Sequence, residues 1–501
     1  MITKNFLQTT VFVIFFLLSA VQIANGQSWR ICQVCNCFDN ERIVDCSFKG
    51  LTTENFETFV LPDNCISVDL SGNDFSDGTL PVSLFQPGAN SLKEINLQMS
   101  KLSSLPFGIF ENLVTLQKLD LSYNRLEDFE SGVFGHLQAM VELNLDFNSV
   151  TTLKSDILAP FGGFSMVKFS ARQNLIANID ENFFALCKKL EILLLTANRF
   201  QVVPENLLAP LESVLKTLDL SSNYISFLPQ FFFYGMQKLE NLDLSNNELK
   251  HLSQPSVLEP LRSSLRIFNA SYNQLEELSN TTFTSFSSIQ KVDFQSNKLT
   301  TVEENLWGLV TQNVGAGTNL NTLQELNLAK NQLRHIDEAI VASIMPLFTK
   351  NPNAKLILGG NPWQCDSRMA YVKQYGATAS ALLGQISRGI ICQGPRAAVG
   401  STLANFSPEK WEEAPVFDFD FENDIKMQNY RQVFGNCPGN AIGDVSFGNL
   451  DECTARCRRE RDCIGFTFTP KEGTCLLKSL SCGVPYASNS NRFFEATKIS
   501  K

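Results

Sequence analysis

One short frame, Leu-x-Leu-x-x-Asn-x-Leu, recurs along the 501-residue chain and limits its fold more than any other feature of the sequence. Clear copies stand at Leu119–Leu126, Leu143–Val150, Leu218–Ile225 and Leu326–Leu333. Successive frames lie 24 to 27 residues apart along most of the array, and the last two steps are 34 and 30 residues. The framed position holds asparagine in every unit except one, which has serine: Asn73, Ser100, Asn124, Asn148, Asn174, Asn198, Asn223, Asn247, Asn273, Asn297, Asn331 and Asn361. Twelve units at so regular a period predict a stack of repeats rather than one globular core.

Each unit is too small to bury its own leucines. The Leu-x-Leu segment predicts a short strand with alternate side chains on one face, so stacked units form a parallel sheet over a shared core. A second apolar set upstream of a strand, such as Phe110, Leu113 and Leu116, is spaced for short helical or 3₁₀ turns on the outer side. The asparagine amide both donates and accepts hydrogen bonds, so it can satisfy the backbone of the turn that follows the strand. Ser100 can do only part of this.

The frames resemble leucine-rich repeats and cover about residues 60–363. The resemblance implies an α/β solenoid of about twelve repeats over residues 61–360, curved as a horseshoe with a parallel sheet on its concave face. The long step before Asn331 contains the glycine-bearing segment 311–319, which we expect to bulge from one edge of the solenoid.

Four cysteines precede the repeats: Cys32, Cys35, Cys37 and Cys46. Four cysteines allow three connectivities. The spacing resembles the N-terminal cap of extracellular leucine-rich repeat proteins, here residues 27–60. That resemblance implies the disulfides Cys32–Cys37 and Cys35–Cys46.

Two cysteines, Cys365 and Cys392, follow the repeats and resemble the matching C-terminal cap, here residues 361–411. The resemblance implies a Cys365–Cys392 disulfide. This family usually has four cysteines at this end, but Ser367 occupies the second position, so we expect a cap with one bridge. Within the repeats, Cys65 and Cys187 stand in apolar slots far apart in sequence, which favours two buried free thiols. The alternative is a reactive or intermolecular thiol.

The last part of the chain changes character. Residues 412–429 form an acidic linker in which phenylalanines alternate with aspartates. Its carboxylates Asp418, Asp420, Glu422 and Asp424 could hold calcium, but the glycine and spacing of a calcium loop are missing, which favours a linker or edge strand. Residues 430–501 hold six cysteines, and Asn449 and Glu452 form a capping box that predicts a helix carrying Cys453 and Cys457 on one face.

This cysteine pattern resembles the PAN/apple module, a small disulfide-rich α+β domain. The resemblance implies the disulfides Cys453–Cys475, Cys457–Cys463 and Cys437–Cys482.

The N-terminal segment and the composition of the chain indicate the cellular compartment. Residues 1–26 combine Lys4, an apolar run and small residues at a cleavage site, as a signal peptide does. No later run reaches the roughly 20 apolar residues of a membrane span. We therefore expect a secreted, extracellular protein whose 14 cysteines can pair. A net charge of -10 argues against nucleic acid as a partner.

Catalytic motifs are missing. The three histidines fall in three different repeats, and neither a metalloprotease, a serine hydrolase nor a phosphate-loop motif is present. The sequence therefore predicts a non-enzymatic protein with no cofactor and no metal.

The candidate binding residues come from slots that face the concave surface. Met99, Tyr123 and Phe147 precede the framed position in three successive units, flanked by Glu94, Glu142 and Asp146, and Ile192 and Leu194 extend the apolar surface two units later. Aromatic anchors rimmed by charge are typical of interface hot spots. The alternative is that they are ordinary filler of such repeats. A column of aspartates and asparagines lies between the strand leucines, and we interpret it as a common feature of such repeats rather than as a binding site: Asp69, Asn96, Asp120, Asn144, Asp219, Asp243, Asn269 and Asp293.

A rival site is basic. Residues 430–501 hold ten Lys/Arg against seven Asp/Glu, and four arginines crowd the predicted helix: Arg456, Arg458, Arg459 and Arg461. Such a patch suits a sulfated polysaccharide or an acidic partner, and a solvated helix face is the alternative. N-glycosylation sequons stand at Asn269, Asn280 and Asn405. A sugar on Asn269 would obstruct the later half of the concave face, which favours the earlier half for the ligand.

Both module types suggest binding rather than catalysis. The leading hypothesis is a secreted protein that recognises an extracellular protein or glycan through the concave repeat face and the PAN domain, as in adhesion, signalling or innate recognition. The alternative is a structural component of extracellular matrix or of a secreted coat. An enzyme, or its non-catalytic subunit, is the remote third.

Overall fold

The computed structural model describes residues 30–402 except 41, 58, 159–164, 253–256, 279–282, 284–285, 303–321, 337–353, 366–368, 370–389 and 394–399. It also describes five strands between residues 430 and 496. The chain divides into two compact units, Met1–Phe406 and Ser407–Lys501.

The first unit is built on one 14-stranded sheet. Its first two strands pair antiparallel, and every later neighbour pairs parallel. The strands in spatial order are β1 (Asn36–Phe38), β2 (Ile43–Asp45), β3 (Ser67–Asp69), β4 (Glu94–Asn96), β5 (Lys118–Asp120), β6 (Glu142–Asn144), β8 (Lys168–Ser170), β10 (Ile192–Leu194), β11 (Thr217–Asp219), β12 (Asn241–Asp243), β13 (Ile267–Asn269), β14 (Lys291–Asp293), β15 (Glu325–Asn327) and β16 (Lys355–Ile357). A separate two-stranded pair joins β7 (Thr152–Leu153) to β9 (Asn178–Ile179). The predicted repeat solenoid with a parallel sheet is confirmed.

The register places equivalent residues of successive units side by side. Leu119 of β5 pairs with Leu143 of β6, and Leu218 of β11 pairs with Leu242 of β12. Each of these central residues is buried, while the residues on either side of it are exposed or half-buried. The sheet therefore has one face on the core and one face in solvent, and the solvent face is the concave face of the horseshoe. We call one strand with its following turn a rung.

The opposite side of the core is made by short turns. Phe85, Phe110 and Phe134 come from three successive rungs, and their rings stack with centroids 6.2 and 6.1 Å apart. The outer connections and the cap include 3₁₀ helices at Arg30–Gln33, Thr53–Glu57, Gln86–Gly88, Ser155–Leu158, Ala209–Leu211 and Glu259–Leu261. Three-residue spacing of the apolar side chains suits these tight turns, since side chains at i and i+3 eclipse in a 3₁₀ helix.

The framed asparagines tie each turn to the rung before it. Asn124 Oδ1 accepts the N–H groups of Ser100 and Leu102, both at 3.0 Å, and its Nδ2 donates to the carbonyls of Leu97 and Leu121 at 2.8 and 2.9 Å. Further down the stack, Oδ1 of Asn247, Asn273 and Asn297 accepts one backbone N–H each, and Nδ2 again donates to a carbonyl of its own rung and one of the rung before. The predicted role of the amide, to satisfy buried backbone groups, is confirmed.

The Ser100 side chain replaces only the hydrogen bond that the asparagine Nδ2 donates to the rung before it. Its hydroxyl donates to the Leu70 carbonyl at 3.1 Å. The acceptor role of the asparagine Oδ1 is taken over by the backbone, because the Phe75 N–H donates to the Ser100 carbonyl at 3.1 Å.

Disulfides close both ends of the repeat array. Cys32 is bonded to Cys37 and Cys35 to Cys46, with Cα–Cα distances of 5.5 and 4.6 Å. Cys365 is bonded to Cys392, with a Cα–Cα distance of 5.6 Å. These are the pairs that the cap resemblances implied.

The caps also cover the exposed ends of the core with large side chains. Trp363 is fully buried, and its Nε1 donates to the Leu358 carbonyl at 3.0 Å. At the other end, Ile31 and Val44 are fully buried. A solenoid needs such covers, because a terminal repeat has no neighbour to bury its leucines.

The second unit contains an antiparallel five-stranded sheet in the order β17-β21-β19-β20-β18. Its strands are β17 (Tyr430–Phe434), β18 (Ala441–Phe447), β19 (Gly465–Thr469), β20 (Thr474–Lys478) and β21 (Arg492–Ala496). Cys475 lies on β20, and the other five cysteines of this unit lie outside the described residues. Their three pairings stay predictions.

Other predicted features also fall outside the described residues: the signal peptide, segment 311–319, the acidic linker 412–429, the sequons at Asn280 and Asn405, and the arginines Arg456, Arg458, Arg459 and Arg461. Among the residues that are described, no helix has the length and apolar character needed to cross a bilayer.

Candidate partner-binding surface

The residue before each framed position has a left-handed backbone. φ is 53° at Met99, 56° at Tyr123 and 55° at Phe147. Each donates its N–H to a carbonyl of the next rung, as Tyr123 does to Asp146 at 2.8 Å. The same left-handed backbone defines a column of equivalent positions in the other rungs: Phe48, Met99, Tyr123, Phe147, Gln173, Ala197, Ser222, Asn246, Tyr272, Ser296 and Lys330, with glycine at 72 and 360.

Three predicted anchors lie together in this column. The exposed fractions of Met99, Tyr123 and Phe147 are 42, 46 and 41%. The rings of Tyr123 and Phe147 stack in parallel, with centroids 4.2 Å apart and 9° between their planes. Side chains this large are usually buried, so three in adjacent rungs form an apolar patch open to solvent.

Phe48 extends this patch and escaped the sequence reasoning. It is 68% exposed, with φ 53°, and it occupies the same column in the cap. Gly72 stands in the next rung of the column, and the Phe48 ring lies so close over it that a β-carbon there would overlap the ring. We call Phe48, Met99, Tyr123 and Phe147 the apolar stripe. The missed signal was the match of Asp-Cys-Ser-Phe at residues 45–48 to Asp-Leu-Ser-Tyr at 120–123.

Two of the flanking acids, Glu94 and Glu142, lie in ion pairs. Glu94 pairs with Lys118 at 3.2 Å, and Glu142 pairs with Lys168 at 2.6 Å. Each acid therefore meets a lysine of the next rung, and the pairs neutralise one another on the concave face. Glu142 consequently offers a partner no unpaired charge.

Asp146 is buried rather than a rim residue. Its side chain is 4% exposed and accepts hydrogen bonds from the Ser170 hydroxyl at 2.6 Å and from Nε of Arg172 at 2.8 Å. The Arg172 guanidinium, 42% exposed, forms the ion pair that compensates the buried carboxylate.

Ile192 and Leu194 do not continue the stripe. Both are half-buried residues of β10, in the strand columns of the concave face. In their rung the left-handed slot holds Ala197, and the rung before it holds Gln173. Ile192 and Leu194 therefore lie outside the column that holds Met99, Tyr123 and Phe147.

The aspartate–asparagine column forms a ladder of hydrogen bonds along the strands. In each of these residues the side-chain Oδ1 accepts the backbone N–H of the residue two positions later. Asparagines then donate to the second oxygen of the aspartate one rung earlier, as Asn96 does to Asp69 at 2.9 Å and Asn144 does to Asp120 at 3.0 Å. The ladder is interrupted at Ser170 and Leu194.

Asn269, the one sequon asparagine among the described residues, belongs to this ladder. Its Nδ2 donates to Asp243 at 3.0 Å, and its Oδ1 accepts from both the N–H and the hydroxyl of Ser271. The atom that a glycan would modify thus already holds two rungs together. Whether a sugar is attached there stays a prediction.

The described residues offer little for chemistry. No group of three or more histidine, cysteine or acidic side chains in this part of the chain could hold a metal ion. Burial raises the pKa of Cys65 to about 11 and that of Cys187 to about 12, and both are free thiols. Thiols held in the neutral form are poor nucleophiles.

The chain is similar to known families and structures. It matches the leucine rich repeat family over residues 90–150 and 213–261, and the PAN domain over residues 428–497. The comparison with curated proteins found no match.

Three solved structures are similar to this chain at low sequence identity. One is a chain from the octameric complex of Latrophilin 3, Unc5D and FLRT2, 20% identical, covering 75% of this chain and 97% of that one, with a TM-score of 0.53. Another comes from the Toll–Spatzle complex of Drosophila, 18% identical, covering 72% of this chain and 56% of that one, with a TM-score of 0.47. A third comes from the mouse RP105/MD-1 complex, 20% identical, covering 71% and 60%, with a TM-score of 0.47.

The first of these likenesses supports the fold alone, and the family matches agree with the frames and cysteines of the sequence. The chain is therefore a leucine-rich repeat protein with disulfide-bonded caps at both ends of its repeats and a PAN domain after them.

Proposed function

We propose that this is a secreted, non-enzymatic recognition protein that binds an extracellular protein through the apolar stripe. The observation that carries the proposal is the stacked, exposed pair Tyr123 and Phe147, with Met99 and Phe48 in the same column. Between 41 and 68% of each of these side chains is open to solvent. Large aromatic side chains held in one orientation are the residues that contribute most to protein interfaces.

The stripe is suited to a protein rather than to a charged polymer. The acids beside it are neutralised by Lys118 and Lys168, so no strong field of either sign surrounds the rings. The backbone of each anchor is fixed by a hydrogen bond to the next rung, and Tyr123 and Phe147 hold each other in place. Anchors ordered before binding lose little conformational freedom when a partner arrives.

Three disulfide bonds in the caps support the extracellular location. They close both ends of the repeats and need an oxidising compartment to form and persist.

The test is site-specific photo-crosslinking with the full chain. A photoreactive phenylalanine analogue replaces Met99 at the stripe and, in a second protein, Tyr272 in the same column of a later rung. Irradiation in extracellular fluid is expected to produce one crosslinked protein band from position 99 and none from position 272. Excess unlabelled wild-type protein should suppress the band.

Matched competitors decide whether the stripe is responsible. A Tyr123→Ala/Phe147→Ala competitor is expected to fail to suppress the band, since hot-spot aromatics contribute about 2 kcal/mol or more each. Tyr272 is 51% exposed in the same left-handed slot, so a Tyr272→Ala competitor is the control and should act like wild type. Equal competition by both variants, or recovery of the protein only from insoluble matrix with no saturable partner, would rule the proposal out.

A further inference from the structure

One aspartate of the ladder has an open hydrogen-bonding position. In four aspartates, Asp69, Asp120, Asp243 and Asp293, the second carboxylate oxygen accepts an amide N–H from an asparagine of the next rung, at 2.9 to 3.1 Å. Asp219 differs from them. Its Oδ1 accepts the N–H and hydroxyl of Ser221 at 2.9 and 2.6 Å, but its Oδ2 accepts no hydrogen bond from the described residues.

The register explains why this position stays open. Asp219 pairs with Leu194 on one side and with Asp243 on the other. Leucine has no donor, and an ionised aspartate can only accept. Where the other four aspartates meet an asparagine, Asp219 meets a second carboxylate, so the chain itself supplies no donor.

The carboxylate is nevertheless held firmly. Thr196 Oγ1 lies 2.5 Å from the Ser221 hydroxyl oxygen, and the Ser221 hydroxyl donates to Asp219 Oδ1. Two rungs thus fix one oxygen of Asp219 and leave the other available. A group positioned by its neighbours in this way can bind without first being ordered.

The local charge is negative, and no described cation forms a direct ion pair with it. Neither Asp219 nor Asp243 forms an ion pair with any described residue, whereas Glu191 pairs with Lys216 at 2.7 Å and Glu240 with Arg266 at 3.5 Å on the same face. The nearby cation Arg172 is committed to Asp146. Strands in a sheet lie about 4.8 Å apart, so the two carboxylates stand roughly that distance from each other.

The surface before Asp219 is apolar. Ile192 and Leu194 replace the polar residues that most other rungs have in these columns, and both are half-buried. A lysine or arginine has an apolar stem that packs on such a surface and a cationic head that pairs with a carboxylate. Leu194 stands one rung from Asp219, which suits the stem and the head of one such side chain.

We propose that Asp219 Oδ2, with Leu194 and Ile192, forms a second contact site that takes a lysine or arginine side chain of a protein partner. The proposal rests on the proposed protein-binding function and adds the chemistry of one residue of the partner. A divalent cation is a poorer occupant, because one free carboxylate oxygen falls far short of the six to eight ligands that calcium takes.

The test selects peptides from a displayed library of random 12-residue sequences on the immobilised full chain. The enriched peptides are expected to share a lysine or arginine at one position, and a synthetic peptide with that residue replaced by citrulline or norleucine should bind at least about tenfold more weakly. Binding should also weaken as salt is added, as for a partly exposed ion pair.

Two variants test Asp219 from opposite directions. Asp219→Asn keeps the oxygen that Ser221 needs and removes the charge. Asp243→Asn keeps Asp219 but supplies the missing amide donor from within the ladder. Both are expected to reduce peptide binding by about tenfold or more. The control is Asp293→Asn, which removes the same charge from a ladder aspartate whose second oxygen is already taken by Asn327. It should bind the peptide within about twofold of wild type.

The outcomes separate the two proposals. No basic residue among enriched peptides, no enrichment at all, or unchanged binding by Asp219→Asn overturns the basic-residue site. Loss of binding in Tyr123→Ala/Phe147→Ala alone supports the apolar stripe and contradicts this site. Loss in Asp219→Asn and Asp243→Asn, with the stripe variant unaffected, establishes this site, and the crosslinking experiment then decides the stripe separately. Thermal unfolding of each variant confirms that the repeats remain folded.

Discussion

The rings of Tyr123 and Phe147 lie face to face, 4.2 Å between centroids, although the two residues are 24 positions apart in the sequence. Their stacking follows from the repeat period, which puts both residues in the same slot of adjacent rungs. The spacing of about 4.8 Å between neighbouring strands is close to the centroid separation of two stacked aromatic rings. A regular backbone thus fixes the distance between two exposed anchors.

The stack should be measurable as a coupling. In a double-mutant cycle of Tyr123→Ala and Phe147→Ala, we expect each single change to lower the free energy of unfolding by about 1 kcal/mol or less, because both side chains are partly exposed. The double variant should lose less than the sum, with a coupling of about 0.5–1.5 kcal/mol. Urea unfolding followed by circular dichroism gives these values. Strict additivity would mean that the rings do not interact in solution.

Ser122 should tolerate replacement by alanine. It is 1% exposed, and its hydroxyl oxygen has no hydrogen-bond partner among the described residues. Ser122→Ala is therefore expected to leave the free energy of unfolding unchanged or to raise it by up to about 1 kcal/mol.

Ser170 provides the matched comparison for Ser122. It is equally buried, but its hydroxyl donates to Asp146 Oδ1 at 2.6 Å. Ser170→Ala should lower the free energy of unfolding by about 1–3 kcal/mol, since it removes a donor from a buried carboxylate. Equal effects of the two alanine variants would contradict the hydrogen-bond assignment.

Asn247→Asp should destabilise the repeats strongly. Asn247 Nδ2 donates to the carbonyls of Leu220 and Leu244 at 3.0 and 3.1 Å, and its Oδ1 accepts from the Ile225 N–H. An ionised aspartate keeps the acceptor but puts a charged oxygen against two carbonyls, which we expect to cost about 2–4 kcal/mol.

The pH dependence of the Asn247→Asp variant identifies the cause. Its carboxyl is favoured in the protonated form in the folded state, so its folded pKa lies above its unfolded pKa. Stability of the variant relative to wild type should recover as pH falls through that folded pKa. Unfolding curves at several pH values give the comparison. A deficit that does not change with pH would point to a steric cause instead.

The ionised carboxylate of Asp219 should lower the free energy of unfolding of the repeats at neutral pH. Burial raises its pKa, and the neighbouring Asp243 carboxylate adds to the rise. A folded pKa above the unfolded value means that the folded state binds the proton more tightly, so the wild type gains stability as pH falls. Asp219→Asn is therefore expected to be more stable than wild type at pH 7, with the difference shrinking toward pH 4. The melting temperature measured across this range checks the sign.

Cys65 and Cys187 should react only after unfolding. Both thiols are fully buried, and burial raises their pKa to about 11 and about 12. Iodoacetamide at pH 8 is expected to leave both unmodified in the native protein and to alkylate both in denaturant, as read by peptide mass spectrometry. Alkylation of either residue in the native state would favour the reactive-thiol alternative.

The repeat frame made most of the first unit predictable. The leucines and the asparagine of the frame Leu-x-Leu-x-x-Asn-x-Leu define which side chains enter the core. The strand register followed from the repeat period alone. The slot of Tyr123 and Phe147 could be located for the same reason. Phe48 was missed because the cap has Lys49 where the frame would have asparagine, so the match to the repeats was hidden.

Contacts across rungs were harder to predict. Asp146 reads as one more acid beside the stripe, and only the structure places Arg172 against it and buries the carboxylate. The flanking glutamates similarly find lysines one rung later, because side-chain reach decides these pairs and the frame does not specify it. The open oxygen of Asp219 depends on both register neighbours at once, Leu194 and Asp243.

The asparagine contacts give the repeat array a direction. Each framed amide bonds the backbone of the rung before it, as Asn124 does for Ser100, Leu102 and Leu97, so a rung depends on its C-terminal neighbour to complete its turn. Truncation from the C-terminal side therefore removes the asparagine whose amide satisfies the last remaining turn, wherever the chain is cut. A truncated version keeps an intact last turn only if the asparagine of the following unit is retained, a rule that fixes where expression boundaries can be placed.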